Sequence, residues 1–128
     1  MSFHFKRLIT LLVFVTCTAG IYAQNFTPGN LAVLVAASAT ATNTTASVVE
    51  INTTSASQSA ITTTAIDGTT SPNAMRFSGS ATSTMYAATS NDGSLLCLSG
   101  HNSTNTASNA NTLTTQAVVT LNASRTVN

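Results

Sequence analysis

Residues Met85 to His101, MYAATSNDGSLLCLSGH, limit what this chain can fold into more than any other stretch. Two apolar, strand-like runs meet at Asp92-Gly93, a dipeptide that readily supplies the positive φ angles of a tight hairpin turn. The second arm, Leu95-Leu96-Cys97-Leu98, has no polar alternation. A strand built from it is expected to be covered on both faces, in the interior of a layered all-β protein.

The remaining periodicity points the same way. Leu31 to Ala37 is a predicted strand after the turn-like Thr27-Pro28-Gly29-Asn30. Ala46 to Asn52 is a second, marked by Val48, Val49 and Ile51, and Ile61 to Ile66 a third, ended by Asp67-Gly68 and Ser71-Pro72-Asn73. Met75 to Ser80 is ambiguous. Thr82 to Thr89 and Ser94 to Ser99 are the arms of the hairpin, and Thr112 to Asn122 is a last strand. Thr40 to Thr45, Thr53 to Ser59 and Asn102 to Asn111 read as polar connections. Asn122 to Asn128 reads as the opening of another turn with no closing strand after it. No window carries an i, i+3, i+4 apolar stripe with caps, and β-branched residues dominate, so the expected class is all-β with antiparallel sheets.

The N-terminal residues bear on the compartment. His4, Lys6 and Arg7 precede an apolar run from Leu8 to Ala19, and Ile21-Tyr22-Ala23 offers a small residue before Gln24. This is the pattern of a secretory signal helix spanning residues 1–23, too short for a comfortable membrane span of about 20 apolar residues. The predicted product, residues 24–128, is secreted or held at the cell surface, with no membrane contact after cleavage. Cys17 falls in the leader, which leaves Cys97 without an intramolecular disulfide partner. Its expected place is a small buried apolar position within Leu95 to Leu98.

From Gln24 onward Arg76 and Arg125 stand against Glu50, Asp67 and Asp92, a net charge of −1 with no lysine. Nucleic acid is therefore excluded as a partner class, because neutralising phosphates takes clustered Lys and Arg. Polybasic attachment to a membrane surface fails by the same count. Thr contributes 22 residues, Ala 17, Ser 15 and Asn 12, together 66 of the 105. Threonine suits a pleated backbone while Ser and Asn suit turns, a mixture fit for short strands and polar loops. An unfolded Ser/Thr-rich stalk is the competing reading of that composition.

No constellation assigns a catalytic, cofactor-binding or metal residue. Asp67 and Asp92 both precede glycine, so turn formation accounts for them better than acid–base work. Glu50, beside Val49 and Ile51, is expected at an edge or solvent-facing position. His101 is the one histidine after the leader, and no G-x-S-x-G elbow accompanies it; Ser78-Gly79-Ser80 lacks that pattern. Five Asn-x-Ser/Thr matches, at Asn25, Asn43, Asn52, Asn102 and Asn122, arise readily by chance in so Asn- and Thr-rich a chain.

Phe26-Thr27-Pro28-Gly29-Asn30-Leu31-Ala32-Val33-Leu34-Val35, Ser78-Gly79-Ser80-Ala81-Thr82-Ser83, and Ser90-Asn91-Asp92-Gly93-Ser94-Leu95-Leu96-Cys97-Leu98-Ser99-Gly100-His101 together resemble the N-terminal region of large secreted bacterial β-propeller-like proteins. In that group an F-T-x-G-N-L opening leads into the first blade, and S-x-D-G-x-x-L-x-L-x-G followed by an aromatic marks an inner hairpin; His101 stands where the aromatic is usual. The resemblance implies an incomplete propeller of about one and a half blades, since a blade is a four-stranded sheet. It also implies a fragment of a longer protein, a reading reinforced by the small apolar area that Ala and Thr bring to a core. The expected role is an exported, non-catalytic binding or scaffold protein. Its partners would be the remaining blades of the same protein or another β-sheet, with an extracellular ligand left open. Two alternatives stand beside it: part of a secreted propeller-type hydrolase or lyase whose catalytic residues lie elsewhere, and a Thr/Asn-rich structural or adhesive surface protein built by edge-to-edge strand addition.

Overall fold

The computed structural model describes residues 25–40, 42–81 and 85–128. The expected leader, residues 1–23, lies outside them, as do Thr82, Ser83 and Thr84 of the first hairpin arm. The described residues form strands β1 (Leu31–Ala36), β2 (Asn43–Thr44), β3 (Ala46–Ile51), β4 (Ala60–Ala65), β5 (Met75–Ser78), β6 (Ala87–Thr89), β7 (Leu95–Asn102) and β8 (Gln116–Asn122), with a single 3₁₀ turn at Ala110–Thr112. Every strand pairing is antiparallel. The chain is all-β.

Two sheets share one core. The first has the order β1-β3-β4; the second runs β2-β5-β7-β6, with β8 on the other side of β7. Strands β2 and β3 are separated only by Thr45, so one nearly continuous run of chain passes from the second sheet into the first. Such corner strands join the layers of β-sandwiches. On β3 the pleat alternates strictly: Ala46, Val48 and Glu50 are buried, while Ser47, Val49 and Ile51 are half-buried on the opposite face. The buried set meets Met75 and Phe77 of β5, Leu98 of β7, and Val119 and Leu121 of β8, with Ile66 from the β4–β5 connection closing the cluster.

Strands β5 and β6 occupy one lane beside β7. Arg76 pairs with His101 and Ala87 with Leu98, so the lane advances eleven residues while β7 advances three. The surplus loops out. Gly79, in this excursion, packs so tightly on the backbone of Ser38 that a Cβ would sit 1.9 Å from its carbonyl oxygen. Gly100 of β7 is required for a related reason: a Cβ there would lie 2.8 Å from the Phe77 ring and 3.0 Å from the Met75 methyl.

Several expectations change on contact with the fold. The arm Leu95 to Leu98 is covered on one face only: Leu98 is fully buried, but Leu95 and Cys97 look outward and are half-buried. Their cross-strand neighbours Asn122 and Thr120 shield them within the sheet, so no second layer is needed. The hairpin turn is also longer than an Asp-Gly pair. The Ser90 N–H bonds to the Leu95 carbonyl and the Gly93 N–H to the Ser90 carbonyl, both at 2.9 Å, and of Asp92 and Gly93 only the glycine has a positive φ, 70°. This is a turn closed by a left-handed glycine, the geometry of longer hairpin loops. Met85 and Tyr86 precede β6 rather than belong to it. Finally, the tail after Asn122 does close: Thr120 and Asn128 exchange backbone hydrogen bonds at 2.8 and 2.9 Å, and Val127 bridges Leu121.

Candidate functional site

Glu50 is the most unusual residue of the structure. Expected at an edge, it sits instead on the central strand of the first sheet, points into the core and is 1% exposed. The alternation of β3 puts it there, since it shares a face with Ala46 and Val48. A buried carboxylate needs compensation, and four residues from three segments supply it. The Thr27 N–H donates to Oε1 at 2.9 Å and the Asn30 amide donates to the same oxygen at 2.6 Å. Thr62 of β4 donates to Oε2 at 3.3 Å, and the Arg125 guanidinium closes a salt bridge to that oxygen. Burial pushes the carboxyl pKa up, but the bonds from Asn30, Thr27 and Arg125 outweigh it and hold the group at about 2. These partners favour the ionised form of Glu50.

Arg125 reaches this point through an unfavourable conformation. Its φ is +60°, a left-handed value that non-glycine residues seldom adopt. The guanidinium lies over the Phe26 ring, 5.0 Å from its centre, and donates to the Asn25 carbonyl at 3.1 Å. Its Nε is buried without a hydrogen-bond partner. The Phe26 N–H bonds to the Ala123 carbonyl at 2.9 Å. Residues 25–30 and 122–128 are therefore clasped together over Glu50.

A second buried network surrounds Arg76. This residue is 6% exposed, and its guanidinium donates to the Asn43 side-chain oxygen, to the Gly68 carbonyl at 3.2 Å and to the Asn43 carbonyl at 3.4 Å. Burial draws its pKa below the ordinary value. The Asn43 amide in turn donates to the carbonyls of Asn105 and Ser108 at 2.7 and 2.8 Å. The polar loop after β7 is thereby pinned to the sheet. Strand β2, read from sequence as part of a polar connection, exists because buried Asn43 satisfies groups on both sides.

The other singled-out residues do not converge. Asp67 accepts from the N–H groups of Thr69 and Thr70 and from the Thr69 hydroxyl, which holds its pKa at about 2. Asp92 is held at about 2 by the Ser90 hydroxyl and by the N–H and hydroxyl of Ser94. His101 meets Gln116 at 3.3 Å. Cys97 is a free thiol, half-buried. Among the described residues no group of three or more His, Cys, Asp or Glu side chains is placed to hold a metal ion. Two of the glycosylation matches are committed elsewhere: Asn43 is buried, and the Asn102 amide donates to the carbonyls of Pro72 and Ala74. Comparison with protein-family models, curated proteins and solved structures finds no match.

One surface stands apart from this polar chemistry. The register pairs Leu31 with Ile51 and Val33 with Val49, and the alternation places Val35 and Ile61 on the same outer face of the first sheet. Leu31 is 53% exposed, Val35 44% and Ile61 48%. No charged residue lies on that face, and β1 and β4 are both edge strands of their sheet.

Proposed function

We propose that this chain is an exported, non-catalytic β-module that works as a scaffold, with the outer face of β1-β3-β4 covered by a further β-sheet of the same exported protein. The observation that carries this reading is the uncharged apolar face formed by Leu31, Val33, Val35, Val49, Ile51 and Ile61. Contiguous apolar patches of this kind mark contact surfaces. Its size selects the kind of contact. Three strands about 4.8 Å apart and six residues long at about 3.3 Å each cover roughly 300 Å². A stable association of separate molecules buries about 800 Å² on each partner. A face this small is better suited to a neighbouring layer on the same polypeptide, which meets it without the entropy cost of association, and left uncovered it supports only weak association between separate chains at high concentration.

The propeller reading is part of the same proposal. Strand lanes β1-β3-β4 and β5/β6-β7-β8 are two successive meanders packed face to face, which is how neighbouring blades meet. The pairing of β2 with β5 departs from that pattern by linking the two sheets through backbone hydrogen bonds. Export rests on the leader pattern of residues 1–23.

The test is self-association of the chain expressed alone. Sedimentation is expected to show concentration-dependent association that Val35→Lys with Ile61→Lys removes without changing the circular dichroism spectrum. A wild-type chain that stays monomeric at high concentration would count against a contact surface. Sequencing the reading frame beyond Asn128 checks for the further sheets.

A further inference from the structure

We propose that residues 25–30 form a detachable strap, locked onto the fold by Arg125, whose release opens the seam between the two sheets. The strap is fastened at few points: the Thr27 N–H and Asn30 amide on Glu50, the Phe26 N–H on the Ala123 carbonyl, the Asn25 carbonyl and Phe26 ring on Arg125, and the Gly29 carbonyl on the Thr53 hydroxyl. Apart from the Thr53–Gly29 bond, every one of these contacts involves either Glu50 or the 122–128 tail. Closure therefore waits on the tail, which brings the counter-charge to Glu50 from 75 residues away.

The closed state carries opposing terms. Arg125 holds a left-handed backbone, and its buried Nε has no partner. Strain and unsatisfied polarity persist only where surrounding contacts over-determine them, and they gather at elements that switch. Beneath the strap is a groove of about 220 Å³ between β1 and the tip of the β6–β7 hairpin, lined by Phe26, Ala32, Leu95, Leu96 and Leu121. Phe26 is its plug. Lifting the strap uncovers Leu96 and Leu121 beside the free edges of β1 and β6. For a chain delivered across a membrane N-terminus first, this keeps the seam open until the tail arrives, a consequence that rests on the export reading; the strap itself does not.

Hydrogen exchange on the full chain tests the proposal. In the wild type, the Phe26 and Thr27 amides are expected to exchange at least tenfold faster than those of Leu98 and Val119. Arg125→Ala is expected to speed strap exchange at least tenfold more than it speeds exchange at Leu98 and Val119, and Arg125→Lys to restore part of the protection. Equal exchange of strap and β7–β8 amides in the wild type would overturn the strap as a separate unit, and this reading needs no variant to fold. Unchanged Phe26 and Thr27 protection in Arg125→Ala would overturn the lock. Neither result bears on the outer face of β1-β3-β4, so this proposal and that one fail separately.

Discussion

At the scale of single residues, two of the five charged side chains among the described residues are buried. Glu50 and Arg76 are 1% and 6% exposed, yet only Glu50 has an ionic partner among the described residues. Removing one member of a buried ion pair costs about 3–5 kcal/mol, because the other is left uncompensated. Glu50→Ala is expected to lose that much in urea denaturation. Glu50→Gln, which keeps the shape and still accepts hydrogen bonds, is expected to lose less. The pH dependence has a definite sign. The folded carboxyl lies at about 2 against an ordinary value of 4.5, so its contribution is complete above pH 4.5 and is lost as the pH falls towards 2. Acid titration of stability is expected to show a fall over that window that is diminished in Glu50→Gln. Asp67 and Asp92 titrate in the same direction but are exposed to solvent, so they do not replace the missing component.

Individual elements are held by close approach and by turn geometry. Gly100 lets β7 lie against Phe77 and Met75, and Gly100→Ala is expected to cost about 1–3 kcal/mol through overpacking. Thermal denaturation checks it. At Gly93 there is open space for a Cβ, so the cost of Gly93→Ala comes from its φ of 70° alone and is expected to be about 1 kcal/mol. The loop after β7 depends on Asn43. Asn43→Ala strips partners from the Asn105 and Ser108 carbonyls and from Arg76, and is expected to raise proteolytic cleavage within residues 103–109 before the sheets unfold.

Across the whole molecule, side chains that look alike in sequence differ in weight. Leu98→Ala is expected to cost about 2–5 kcal/mol, since Leu98 is fully enclosed between the sheets. Ile61→Thr, on the outer face, is expected to change stability by less than about 0.5 kcal/mol while reducing self-association. Equilibrium unfolding and sedimentation separate the two effects.

What could be read from the residues was local. Val48, Val49 and Ile51 announce a strand, Leu31 to Ala37 another, and Asp92-Gly93 a hairpin, because pleat alternation and left-handed turns act over a few residues. The leader pattern and the shortage of cations are likewise properties of composition and order. Which face of each strand meets the core was decided only when the sheets packed. Leu95 and Cys97 are shielded by cross-strand Asn122 and Thr120, and Asn43 becomes a strand residue by answering groups 62 and 65 positions away. Glu50 followed the same logic, as strand alternation carried a carboxylate into the core and Arg125, arriving from the tail, made burial tolerable. Tertiary structure settled these points because a charge or an amide can be buried only where distant partners converge, and such convergence has no local signature.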